Sequence, residues 1–136
     1  MKKLVRDRGL EDSFVIASAA VSREELGNPV YPPARRELAA HGISCAGKTA
    51  RQMERADYGR YDLLLGMDGS NLRGMRAICG GDPDRKLGLL MDCTDHPGEI
   101  EDPWYTGRFD AVYRQIEEGC QGLMKELTRG GGKAAR

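Results

Sequence analysis

The sequence predicts an α/β domain of three layers, a parallel sheet flanked by helices. Three observations lead there. Short apolar runs of strand length occur at residues 14–20, 61–67 and 86–91. Segments with helical patterning and helix-ending glycines lie between and after them. Strands that alternate with helices in this way pair in parallel, with helices packed on both faces.

The elements follow in order. Leu4 and Val5 sit among helix formers, and Gly9 suits the residue just past a helix end. Phe14-Val15-Ile16-Ala17-Ser18-Ala19-Ala20 reads as a buried strand. Gly27-Asn28-Pro29 and Pro32-Pro33 mark residues 22–33 as loop. From Pro33 a helix runs through Ala40 and stops at Gly42, and a short second helix is expected over 52–58. Tyr61-Asp62-Leu63-Leu64-Leu65-Gly66-Met67 is the second strand, and Asp68 or Ser70 can cap a helix reaching Cys79. Gly80-Gly81-Asp82-Pro83 is a turn, residues 86–91 are a third strand, and residues 92–107 are a long loop. A last helix over 108–128 lines Val112, Ile116, Leu123 and Leu127 along one face. Residues 1–128 therefore make one domain, and residues 129–136, with Gly130-Gly131-Gly132, are expected to be a disordered tail.

Composition narrows the function. Of 136 residues, 40% are hydrophobic and 31% charged, with 21 Lys+Arg balanced by 21 Asp+Glu. A zero net charge argues against a nucleic-acid partner, which calls for a basic excess. No run approaches the roughly 18 apolar residues of a membrane span. The charged start Met1-Lys2-Lys3 is followed by no apolar core of a signal peptide. The four cysteines are scattered, with no CxxC pair and no histidine at metal spacing. They read as reduced thiols of a cytoplasmic protein, Cys79 and Cys120 being small buried hydrophobes.

Two overlapping motifs invite a phosphate-binding reading. Residues 42–49, Gly42-Ile43-Ser44-Cys45-Ala46-Gly47-Lys48-Thr49, fit the G-x-x-x-x-G-K-[ST] phosphate loop of nucleotide binders. Residues 45–51 fit C-x5-R, in which a thiolate lies under a phosphate clamped by a guanidinium. Both chemistries need a strand before the loop and a helix opening at its end, so that amides and dipole converge on the anion. Here a helix runs straight into Gly42, and Gln52 follows Arg51 in place of a Ser or Thr. Both motifs are read as coincidence.

Seven segments in order carry a resemblance: Lys3-Leu4-Val5, Ser18-Ala19-Ala20, Gly27-Asn28-Pro29, His41-Gly42-Ile43, Ala50-Arg51-Gln52, Met67-Asp68-Gly69-Ser70-Asn71-Leu72-Arg73 and Glu101-Asp102-Pro103-Trp104-Tyr105. Together the chain resembles low-molecular-weight protein tyrosine phosphatases up to about residue 127. The resemblance implies a four-stranded parallel sheet and hydrolysis of aryl phosphate monoesters, typically phosphotyrosine in proteins, through a phosphocysteine without metal or cofactor. Asp102 matches the general acid and base, Trp104 and Tyr105 an aromatic wall, and Ser18, Asp68 and Asn71 supporting positions. Plain helix capping explains Asp68 and Ser70 almost as well. Lys48 stands where many members have a histidine, and Glu24 where many have an aromatic residue beside the cleft.

In that family a central strand and a Cys-x5-Arg-Ser loop precede the Lys-Leu-Val segment. Neither is found before Met1, so the chain is expected to lack its nucleophile, to be inactive, and to self-associate through unpaired strands. Three readings follow: an internal start within a longer enzyme, a remnant serving as a binding or regulatory module, or an active site relocated to Cys45 and Arg51. A nucleotide binder using residues 42–49 is a further alternative.

Overall fold

The computed structural model describes residues 1–22 and 27–128. At its centre β1 (Leu64–Gly66) and β2 (Leu87–Leu89) pair in parallel, Leu64 opposite Leu87 and Gly66 opposite Leu89. The crossover that parallel neighbours require is α4 (Gly69–Cys79). Successive side chains leave opposite faces of a strand. Leu64 and Leu87 accordingly pack with Met53, Met75 and Cys79 on the α4 side. Leu65 and Met67 pack with Leu90, Met91, Ile100, Val112 and Cys120 on the side of α6 (Phe109–Thr128). The α/β arrangement of helices on both faces of a parallel sheet is thus present, and Cys79 and Cys120 are both buried in it.

Around this centre, α1 (Lys2–Asp7) lays Met1 and Leu4 on the α6 cluster and ends at Gly9, whose φ is +68°. α2 (Pro32–Ala40) begins with two prolines, one residue earlier than expected, and stops before Gly42 at φ +75°. α3 (Asp57–Arg60) replaces the helix expected over 52–58. Extended pairing claims that stretch first: Ala20 N donates to Arg51 O at 2.8 Å and Met53 N to Ala20 O at 2.8 Å.

The expected strand over 14–20 is the main correction. Ala20 forms a single parallel bridge with Gln52, and among the described residues no strand lies beside 14–19. A strand needs a ladder partner, so this apolar run forms no strand, and Val15 is 83% exposed. The second expected strand is also shorter. Tyr61 N is drawn to Asp57 O, and Met67 N to the side chain of Asn71. The third stops at Leu89, whose N–H reaches Asp92 Oδ2, and a 3-10 turn, Leu90–Cys93, follows under α6. Within the expected long loop, Pro103–Thr106 forms one helical turn, α5. The buried face of α6 is rolled from the expected one: Val112, Gly119, Cys120 and Met124 are buried, whereas Ile116, Leu123 and Leu127 are only partly so. The tail 129–136 lies outside the described residues. Among those described, no helix is long and apolar enough to cross a membrane.

Asp57 is the one buried charge among the described residues, 2% exposed. It accepts from Arg51 at 3.2 and 3.3 Å, from Arg60 at 3.4 Å and from Glu54 N at 2.8 Å. Burial pushes its carboxyl up, but the bonds from Glu54 N and Arg51 and the two guanidinium charges prevail, holding it below the usual range. A carboxyl lowered on folding contributes stability above its unfolded pKa of about 3.9, and loses it as pH falls through the folded value. Asp57→Asn is therefore expected to cost about 1–3 kcal/mol at pH 7. Urea unfolding at pH 7 and pH 3 should show the difference from wild type shrinking at the lower pH; an unchanged difference would refute the assignment.

Candidate active site

The C-terminal end of β1 opens into a cleft of about 330 Å³, lined by Ala34 and Leu38 of α2, by Met67, Asp68 and Asn71, by Asp102, and by Phe109 and Tyr113 of α6. Ligands of open α/β sheets bind at this end of the strands. Three of the residues singled out from sequence, Asp68, Asn71 and Asp102, meet there.

Asp68 and Asn71 are each held by a nearby backbone amide. Asp68 caps α4, accepting from Asn71 N at 2.8 Å, and Asn71 Oδ1 accepts from Met67 N at 3.0 Å. Glu99 supplies a second acceptor at the same helix start, 2.6 Å from Gly69 N. The α4 N-terminus is therefore occupied by the protein's own carboxylates.

Asp102 sits on a turn fixed at both ends. Upstream, Ile100 is 2% exposed and its N–H donates to Met67 O at 2.8 Å, tying the segment to the strand end. Asp102 Oδ1 accepts from Trp104 N at 2.9 Å, Pro103 takes the first position of α5, and Gly107 ends it at φ +74°. Arg108 closes the turn through two bonds to Glu101, at 2.8 and 3.3 Å. Bonds from Thr106 and Arg108 hold the Glu101 carboxyl below its usual range. Asp102 lines the cleft on an exposed but well-anchored turn.

Trp104, Tyr105 and Ser18 lie outside the cleft lining. Trp104 is 56% exposed and its ring meets Tyr31, with centroids 4.3 Å apart; Tyr105 is 83% exposed. Ser18 is exposed on the unpaired run, away from the cleft lining. Glu24 lies outside the described residues. Sequence reasoning missed Tyr31, Glu99 and the Glu101–Arg108 clip. The signal for Tyr31 was its place just before Pro32-Pro33, which fixes it at a helix start.

Neither phosphate-loop motif has the geometry it needs. Gly42 ends α2, and beyond Lys48 the chain is extended: Thr49 bridges Pro29 and Gln52 bridges Ala20. No helix opens there to receive an anion, which removes the nucleotide-binding alternative. Arg51 is committed to Asp57, and Cys45 lies in a turn closed by Lys48 N. A second C-x5-R, Cys79 to Arg85, escaped notice in the sequence. Cys79 is buried in the last turn of α4, where burial, then the charges of Asp57 and Asp82, push its thiol up. A helix C-terminus disfavours a thiolate as well.

Comparisons with known proteins bear on this geometry. The sequence profile described as low molecular weight phosphotyrosine protein phosphatase matches residues 1–133. A relative from Sus scrofa, a low molecular weight phosphotyrosine protein phosphatase, is 34% identical over 93% of this chain and 82% of its own length. The low molecular weight protein-tyrosine-phosphatase YfkJ of Bacillus subtilis is 28% identical over 94% of this chain and 83% of its own. The crystal structure of YfkJ superposes with a TM-score of 0.89, over 94% of this chain and 82% of that one. A Drosophila protein described as an arginine phosphatase superposes at 0.83 with 25% identity, over 95% and 86%.

Proposed function

We propose a function from one premise: the chain belongs to the low-molecular-weight phosphotyrosine protein phosphatase family. Its reaction is hydrolysis of an aryl phosphate monoester, phosphotyrosine in proteins above all, by way of a phosphocysteine. A cysteine thiolate attacks phosphorus, forming S–P as the P–O bond to the phenol breaks, and Asp102 gives the leaving oxygen its proton. Water then attacks phosphorus, Asp102 takes a proton from it, and S–P breaks to release inorganic phosphate and the thiolate. One carboxyl serves as acid and then as base. The observation that carries this reading is the Asp102 turn, anchored by Ile100 to the end of β1 and clipped by Glu101 and Arg108 at the mouth of the cleft. Trp104 beside it favours an aryl phosphate over the phosphoarginine that the name of the Drosophila protein implies.

In this reading the nucleophile and its arginine are not Cys45 with Arg51 or Cys79 with Arg85. Arg51 is held by Asp57, and Cys79 is a buried neutral thiol. Neither C-x5-R pair of these 136 residues then supplies the nucleophile, and a protein carrying a Cys-x5-Arg-Ser loop ahead of α1 is expected to turn over. The unpaired run at 14–19 also favours self-association.

Hydrolysis of p-nitrophenyl phosphate, with vanadate as competitor, tests the assignment. The purified chain should give no vanadate-sensitive turnover, and a fusion carrying the loop should. Vanadate-sensitive turnover by the chain, lost in Cys45→Ser, would make residues 45–51 the working loop instead. No turnover by either protein would favour a binding module. Sedimentation velocity of the same preparation should show a dimer or larger; a monomer at all concentrations rules out the association.

A further inference from the structure

We propose that Tyr31 is a specificity-determining residue: with Trp104 it forms one two-ring surface beside Asp102 that takes the aryl group of a phosphate monoester. The inference rests on the reading above and adds to it a residue from a different element.

The surface is built from two independently fixed rings. Tyr31 is the N-cap of α2, its carbonyl accepting from Arg35 N at 2.9 Å. The prolines at 32 and 33 restrict the Tyr31 backbone to the extended region it adopts, φ −54° and ψ 132°. Trp104 is fixed by α5 and by its N–H bond to Asp102. The ring centroids lie 4.3 Å apart at an interplanar angle of 48°, and Phe109 backs Tyr31 at 6.1 Å. Tilted contacts of this kind are favourable arrangements for aromatic pairs.

Two features point to a ligand ring. Tyr31 and Trp104 remain 43% and 56% exposed although they pack on each other, so each keeps aromatic surface available. The surface also starts two residues from the proposed acid. In an aryl phosphate the oxygen to be protonated is bonded to the ring, so acid and ring wall must sit side by side, and one turn of α5 provides that. Tyr105 cannot replace Tyr31: it is 83% exposed and has no ring partner among the described residues. An alkyl phosphate has no planar face to offer, and the surface discriminates against it.

Trp104 is the single tryptophan of the chain, so its emission reports the site directly. Titration of the protein carrying the Cys-x5-Arg-Ser loop with phenylphosphonate should quench that emission saturably, and methylphosphonate should not. Tyr31→Phe should bind phenylphosphonate within about two-fold of wild type, and Tyr31→Ala about five-fold more weakly. Tyr31→Leu, apolar but not aromatic, should match the alanine variant and serves if that one fails to fold. Absence of a saturable response in the wild type, or equal affinity in the leucine variant, overturns the proposal. Because the titration needs no turnover, its failure is distinct from that of the catalytic reading: turnover by the same protein without Tyr31 dependence sinks this inference alone.

Discussion

In a protein carrying a Cys-x5-Arg-Ser loop ahead of α1, Asp102→Asn is expected to lower kcat toward phenyl phosphate by about 10²–10⁴-fold, the usual worth of a positioned general acid. The substitution separates two roles of this side chain. Asparagine is as good an N-cap as aspartate, so its carbonyl can still accept from Trp104 N and keep α5 in place. What it cannot do is hand over a proton. The loss should be largest for phenol, a poor leaving group, and much smaller for p-nitrophenol, whose anion departs without protonation. The alkaline limb of the kcat profile, which reports the acid in the enzyme–substrate complex, should disappear. Wild-type kcat toward phenyl phosphate in the asparagine variant would remove Asp102 from the chemistry and leave it a helix cap.

The second large effect concerns folding. Gly119 and Gly122 lie on the side of α6 that meets the Leu90–Cys93 turn. A Cβ at 119 would stand 2.6 Å from Leu90 Cγ, in the way of a side chain that can rotate. At 122 it would run into the carbonyl oxygen of Cys93, which is backbone and cannot move without displacing the whole turn. Gly122→Ala should therefore destabilise the chain by about 1–3 kcal/mol, overpacking strain outweighing the roughly 1 kcal/mol by which alanine favours a helix. Gly59 of α3 is the control, because a methyl group there would meet nothing within 4 Å. Gly59→Ala should be neutral or stabilising by up to about 1 kcal/mol. Denaturant midpoints of the two alanine variants check this. A Gly122→Ala chain as stable as Gly59→Ala would mean that α6 and the turn do not approach so closely.

Much of this was legible before any coordinates. Asp68 announced the start of α4, Gly9 and Gly42 the ends of two helices, and Asp102-Pro103 a capped turn, because each acts through its own local geometry. What failed depends on partners far along the chain. Residues 14–20 have the composition of a buried strand, but a strand also requires a neighbour, and only Ala20 finds one. The helix expected over 52–58 was displaced because Met53 bonds to Ala20, 33 positions earlier, a preference no local window contains. The same holds at the site. Asp102 could be picked out from its motif, whereas Tyr31, over 70 positions upstream of Trp104, is marked only by the contact of the two rings in the fold. The glycine stripe of α6 was hidden for a related reason: an apolar-face pattern counts large side chains, and close approach is made by the absence of one.

The division of the interior into two clusters has a dynamic consequence. Met53, Met75 and Cys79 pack on one side of the strand pair, and Leu90, Met91, Ile100, Val112 and Cys120 on the other. Cooperative unfolding units tend to coincide with contiguous packing of this kind. Amide hydrogens of α4 can then exchange with solvent through an opening confined to the smaller cluster, while those in the middle of α6 wait for a larger one. The Asp102 turn hangs from Ile100, in the larger cluster, and so stays attached to the slow-exchanging half when the other half breathes.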